Sequence, residues 1–136
     1  MSVEYTWGDF WHGRQKSWAV ENRVNALGRL IIDLRYERDE LDFSVVSAKE
    51  RTNLVSSRIT YTFHPDLSTK LFTQFNDSDD RLLFNFLVRW TFSPGSDLYV
   101  VYNETYESFA DADPLYRDDR WKIKSRTAAA KLVYKF

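Results

Sequence analysis

From Arg81 to Phe92 every second residue is large and apolar: Leu82, Phe84, Phe86, Val88, Trp90 and Phe92 alternate with Leu83, Asn85, Leu87, Arg89 and Thr91. A period of two belongs to a β-strand, whose successive side chains stand on opposite faces. The segment therefore offers one face that is wholly apolar and aromatic, and another that is mixed and carries an arginine. The same period recurs along the chain. Leu30, Ile32, Leu34 and Tyr36 alternate with Ile31, Asp33, Arg35 and Glu37; Ile59, Tyr61 and Phe63 alternate with Arg58, Thr60 and Thr62. Val3, Tyr5 and Trp7, then Trp18, Val20, Val24 and Ala26, then Ala128, Ala130, Leu132, Tyr134 and Phe136, repeat the pattern. Leu98, Val100 and Tyr102 form a further set blurred by Tyr99 and Val101, and in Leu71 to Phe75 the apolar face is not decided by the pattern.

Eight strands are predicted, at about 2–12, 14–26, 28–40, 52–64, 67–76, 81–93, 97–108 and 126–136. Ser93-Pro94-Gly95-Ser96 places Pro and Gly at the two central positions of a type II turn. His64-Pro65-Asp66-Leu67 is a second tight reversal and Leu27-Gly28 a weaker third. Longer polar connections are expected between them, from Gly8 to Gln15, Glu40 to Thr52, Asn76 to Asp80 and Ser108 to Ser125. Short and long connections then alternate, as in outer-membrane barrels with short periplasmic turns and longer external loops. A helix over Val24 to Leu41 would align Leu27, Leu30, Ile31, Leu34 and Leu41, but Gly28 and the strict Leu30/Ile32/Leu34/Tyr36 alternation oppose it.

Two media could cover the apolar face. Charged residues make up 29% of the chain, and no apolar run approaches the roughly 20 residues that a membrane helix needs. A membrane could therefore be crossed only by strands, in a closed barrel that pairs every backbone polar group. A soluble lipocalin-like or fatty-acid-binding-type barrel would instead turn its apolar face inward around an apolar ligand. The size of the apolar side chains favours the membrane, because rings such as Phe84, Phe86, Trp90 and Phe92 on eight strands would overfill a small interior. The expectation is an all-β, antiparallel up-and-down transmembrane β-barrel of about eight strands in a single domain over 1–136, or the C-terminal part of a larger barrel. Leu82, Phe84, Phe86, Val88, Trp90, Phe92, Ile59, Tyr61, Phe63, Leu30, Ile32, Leu34 and Tyr36 would face lipid. Asp33, Arg35, Arg58, Arg89 and Lys131 would face the lumen, where charge pairing is favoured over a selective pore lining. Trp7, Trp11, Trp18, Trp90 and Trp121 are candidates for interfacial girdles.

Leu132, Tyr134 and Phe136 give the chain an aromatic end similar to the C-terminal assembly signal of bacterial outer-membrane barrels, which implies the barrel-assembly machinery as a partner. Several stretches carry a wider resemblance: Gly8 to Arg14, Arg58 to Phe63, Leu71 to Asn76, and above all Arg89 to Asn103 across Pro94-Gly95-Ser96. They resemble the C-terminal part of a bacterial outer-membrane β-barrel family of unknown function. Its members typically carry an N-terminal domain similar to a family-9 carbohydrate-binding module. The resemblance implies a location in the bacterial outer membrane and upstream barrel strands missing from this chain. It carries over no catalytic residue and no sugar-binding role. The N-terminus, Met1 to Tyr5, has neither the basic start nor the apolar core of a signal peptide, so the expectation is a fragment of a longer precursor.

Other functions find little in the residues. A net charge of −1 gives no electrostatic ground for a nucleic-acid partner, and with no cysteine there is no thiolate nucleophile or cysteine zinc site. His12 and His64 fall at opposite ends of strands, so no shared metal is expected. Asp77, Asp79 and Asp80, and Asp111, Asp113, Asp118 and Asp119, are acidic clusters without EF-hand spacing, and read first as solvated loops and second as calcium ligands. No Ser/His/Asp set or phosphate-binding glycine loop is present, so no enzyme activity and no cofactor are expected.

Overall fold

The computed structural model describes residues 1–10, 13–43, 48–109 and 120–135. Eight strands follow one another: β1 (Ser2–Phe10), β2 (Gly13–Ala26), β3 (Leu30–Phe43), β4 (Ala48–His64), β5 (Leu67–Asn76), β6 (Arg81–Ser93), β7 (Ser96–Phe109) and β8 (Arg120–Val133). Each pairs antiparallel with its neighbours in sequence, giving one up-and-down sheet in the order β1 to β8. Val24 to Leu41 is a strand hairpin and not a helix.

The expected closure into a barrel is not present. The strand order ends at β1 on one side and β8 on the other, with no pairing between them among the described residues. Closure requires the first and last strands to exchange backbone hydrogen bonds, and here both edges keep unpaired donors and acceptors.

The strands also run further than expected at the end of the sheet opposite the tight turns. β3 continues to Phe43 and β4 begins at Ala48, so residues expected in a long loop are paired: Glu40 lies opposite Lys16 and Arg51. Opposite charges directly across a ladder support the pairing that their polarity argues against. Three of the four connections at that end are therefore shorter than expected, with only residues 11–12 between β1 and β2, while the interval 77–80 between β5 and β6 has the expected length. The widest interval, 110–119, joins β7 to β8.

At the tight-turn end, Gly95 has φ +80°, the left-handed conformation required at the third position of a type II turn. Leu27 (φ 56°) and Gly28 (φ 66°) both have positive φ, as a type I′ hairpin turn requires. A leucine pays for this conformation sterically. Three irregularities interrupt the register, at Thr62/His64, Thr91/Ser93 and Thr105/Tyr106, the last of which leaves Lys124 of β8 without a partner in the ladder.

Candidate functional site

Paired residues in an antiparallel ladder share a face, so the register carries the parity of β6 across the whole sheet. Phe86 lies opposite Leu71 and Tyr102; Leu71 lies opposite Ile59, and Ile59 opposite Ile32. Ile32 in turn lies opposite Val24, while Val3 and Tyr5 lie opposite Val20 and Trp18 on the same face. On the other side, Val100 and Leu98 lie opposite Ala130 and Leu132. The thirteen residues expected to share an apolar face do share one, and the undecided β5 adds Leu71 and Phe75 to it.

Nothing covers that face among the described residues. Ala19, 6% exposed, is the single buried apolar residue, and it lies on the opposite face. Val24, Leu34, Val55, Tyr61, Phe63, Phe86, Trp90, Phe92 and Val100 are all more than one-third exposed, although they sit on strands flanked by neighbours on both sides. Soluble domains bury an apolar sheet face against a second layer. A single layer with an open apolar face of this extent marks an interaction surface.

The aromatic rings gather towards the two ends of this face. Near the tight turns, Tyr61 and Phe63 meet edge to face at 4.6 Å, Trp90 and Phe92 at 5.9 Å, and Phe92 stacks on Tyr134 at 6.5 Å. Towards the other end, Trp18 meets Tyr36 at 5.1 Å, Phe75 meets Trp121 at 6.0 Å and Tyr5 stacks on Trp7 at 5.7 Å. Aliphatic residues such as Ile32, Ile59, Leu71, Val88 and Val100 lie between, together with Phe86 and Tyr102. Charged residues interrupt the face: Lys16, Arg38, Glu40 and Arg51 share its parity at the end away from the tight turns, and Glu104, which is 9% exposed, accepts hydrogen bonds from Arg126 across the β7–β8 ladder. Of the expected C-terminal aromatic set, Leu132 is in β8 and Tyr134 follows it, while Phe136 lies outside the described residues. The Lys135 backbone N–H donates to Ser96 Oγ at 3.2 Å, which fastens this end to the Pro94-Gly95 turn.

Asp33, Arg35, Arg58, Arg89 and Lys131 all lie on the opposite, polar face. Arg23 donates to Asp33, and Arg35 donates to Glu21 and, at 2.9 Å, to Glu37. Arg89 donates to Asp97 at 3.2 Å, and its guanidinium carbon lies 5.9 Å from the centre of the Tyr99 ring. Arg81 and Lys124 both donate to Glu107, and Asn85 donates to Asn103. Cross-strand charge pairing is thus the observed arrangement for most of this face. A cavity of about 480 Å³ opens on it; Glu21, Arg23, Asp33, Arg35, Arg58 and Phe72 are among the residues that line it.

Beyond the strands, Asp77 closes a network that the sequence reading missed. Its carboxylate accepts from the Asn53 backbone N–H at 2.6 Å and from the Asn53 side chain, while the Tyr36 hydroxyl donates to Asn53 Oδ1 at 2.8 Å. These hydrogen bonds, led by the one from the Asn53 side chain, hold the Asp77 carboxyl below the usual carboxylate range. Asp79 lies 3.8 Å from Arg81, and His64 Nδ1 lies 3.2 Å from Asp66 Oδ2 within its turn. No group of three or more metal-ligating side chains occurs among the described residues; His12 and the aspartates from Asp111 to Asp119 lie outside them.

Comparison with family models, with curated proteins and with solved structures finds no match to this chain.

Proposed function

We propose that the chain is part of a β-barrel in a bacterial outer membrane, with the apolar face against lipid and the polar face lining the interior. Its role is structural or transport-related, without a catalytic step. One observation carries this reading: a continuous apolar face runs through all eight strands, and among the described residues it has no covering layer and no apolar core behind it. In water that exposure is costly at about 25 cal/mol per Å² of apolar surface, whereas in hydrocarbon the same surface is solvated.

The dimensions agree. Leu82 to Phe92 spans ten residue steps, or about 34 Å along the strand, and a tilt near 40° reduces this to about 26 Å, matching an apolar band of about 25 Å. Rings towards both ends of the band are placed as interfacial girdles are. Within such a barrel, the two open edges require further strands, and strands upstream in a longer protein would supply them. This is the arrangement implied by the resemblance to the outer-membrane family, with capture of the aromatic C-terminal strand by the assembly machinery. A soluble barrel around an apolar ligand calls for large rings about its interior cavity, but the cavity on the polar face has one ring, Phe72, among eleven lining residues, five of them charged.

Refolding into phospholipid vesicles tests the reading. The chain should partition into lipid with strand circular dichroism and show a heat-modifiable shift on gels. A chain that stays monomeric and folded in buffer, and ignores vesicles, would refute it.

A further inference from the structure

We infer that the cavity on the polar face binds a small solute carrying a phosphate or carboxylate group, with Arg58 as the principal donor. The charged side chains around the cavity are Arg23, Arg35 and Arg58 against Glu21 and Asp33, one cation in excess. Pairing identifies which one. Asp33 lies directly opposite both Arg23 and Arg58 in the ladder, but accepts its hydrogen bonds from Arg23 Nε and Nη2. Glu21 accepts from Arg35. Arg58 forms no ion pair with a carboxylate among the described residues. It feels the charge of Asp33 at longer range, and the centre of the Phe72 ring lies 5.6 Å from its guanidinium carbon.

A cation–π contact engages the charge of a guanidinium and leaves its in-plane N–H fork for a ligand. That fork matches the spacing of two oxygens on a phosphate or carboxylate. Ser56, two residues away on the same face, also borders the cavity and supplies a hydroxyl. Lys70 stands opposite Thr60, diagonal to Arg58 on the same face, and adds positive potential beside the cavity. A volume of 480 Å³ is within the range of small-molecule sites. The inference does not depend on what covers the apolar face.

The test is titration of the full chain, refolded in a zwitterionic detergent and labelled with ¹⁵N-arginine, using inorganic phosphate and, separately, acetate. Sodium chloride at equal ionic strength serves as the control. The Arg58 side-chain Nε–Hε resonance should move saturably with at least one of the two oxyanions and not with chloride, while that of Arg51, on the other face, stays still. By calorimetry, R58Q should weaken binding about tenfold or more, as loss of a charged bidentate donor implies, and R51Q should leave it unchanged. If R58Q does not fold, the resonance titration of the unsubstituted chain decides alone. Absence of saturable movement at Arg58, or equal movement with chloride, overturns the site, as does unchanged affinity in a folded R58Q.

Discussion

Placing an arginine at Phe86 measures which medium covers the apolar face. Phe86 is five residues from the start of β6 and seven from its end, opposite Leu71 and Tyr102. At about 3.4 Å per residue and a tilt near 40°, it lies about 13–18 Å from either strand end, near the middle of a band about 25 Å tall. It is 38% exposed, so a longer side chain would project out of the sheet and into whatever lies there. In lipid, an arginine at that depth should cost about 2–4 kcal/mol, whereas one near the interface should cost about 0–1 kcal/mol. Leu132, one residue from the end of β8 and 64% exposed on the same face, supplies the shallow comparison. In water, both changes would stay within about 0.5 kcal/mol, as exposed substitutions do. Reversible guanidinium unfolding in phospholipid vesicles, followed by tryptophan fluorescence, gives both values. F86R is expected to be destabilised by about 2–4 kcal/mol and L132R by about 1 kcal/mol or less. If both fall within 0.5 kcal/mol of the parent, or if F86R is no worse than L132R, the depth argument fails.

Three further outcomes follow from other features. Single-tryptophan variants retaining Trp90 or Trp18 should be quenched best by lipids brominated near the headgroup, and a tryptophan introduced at Phe86 by lipids brominated deep in the chain; equal quenching at all depths would contradict the two-girdle arrangement. Because its pKa is lowered in the folded chain, Asp77 contributes stability that is fully present above its unfolded value of about 3.9 and is lost as pH falls through the lowered value. D77N should therefore cost about 1 kcal/mol at neutral pH, after allowance for its partial exposure, and should remove the acid-dependent part of amide-exchange protection at Asn53. L27N should stabilise the β2–β3 hairpin by about 1 kcal/mol in chemical denaturation, because asparagine tolerates the positive φ that Leu27 adopts.

The strands and their two faces were legible because the period-two pattern is strong wherever one face is continuous. Pro94-Gly95 fixed a turn for the same kind of local reason. Strand ends were harder. Glu40 and Asp42 look like loop residues in isolation, and become strand residues only when Lys16 and Arg51 are known to lie opposite Glu40. In β8 the irregularity at Lys124 reverses the parity: Trp121 and Ile123 hold the apolar face before it, and Ala128, Ala130 and Leu132 after it. In the sequence that reversal looks like the end of a pattern, so Arg120 to Ser125 reads as a connection. Asp77 was read as part of an acidic cluster, because its partner Asn53 is 24 positions away and gives no local signal. The excess of Arg58 depends on which of two arginines Asp33 engages, a geometric outcome that composition does not encode. Closure was not legible either, since alternation is the same in an open sheet and in a closed one.

Each strand of this sheet pairs its backbone only with the strands that precede and follow it in the chain. The molecule is therefore modular along its length, and growth or loss of one hairpin leaves the facing of all the others intact. Such a chain can lengthen by copying two strands at a time, with no change in the pairing of the strands already present. Its width can thus drift over generations while each hairpin keeps the same division of greasy and charged side chains.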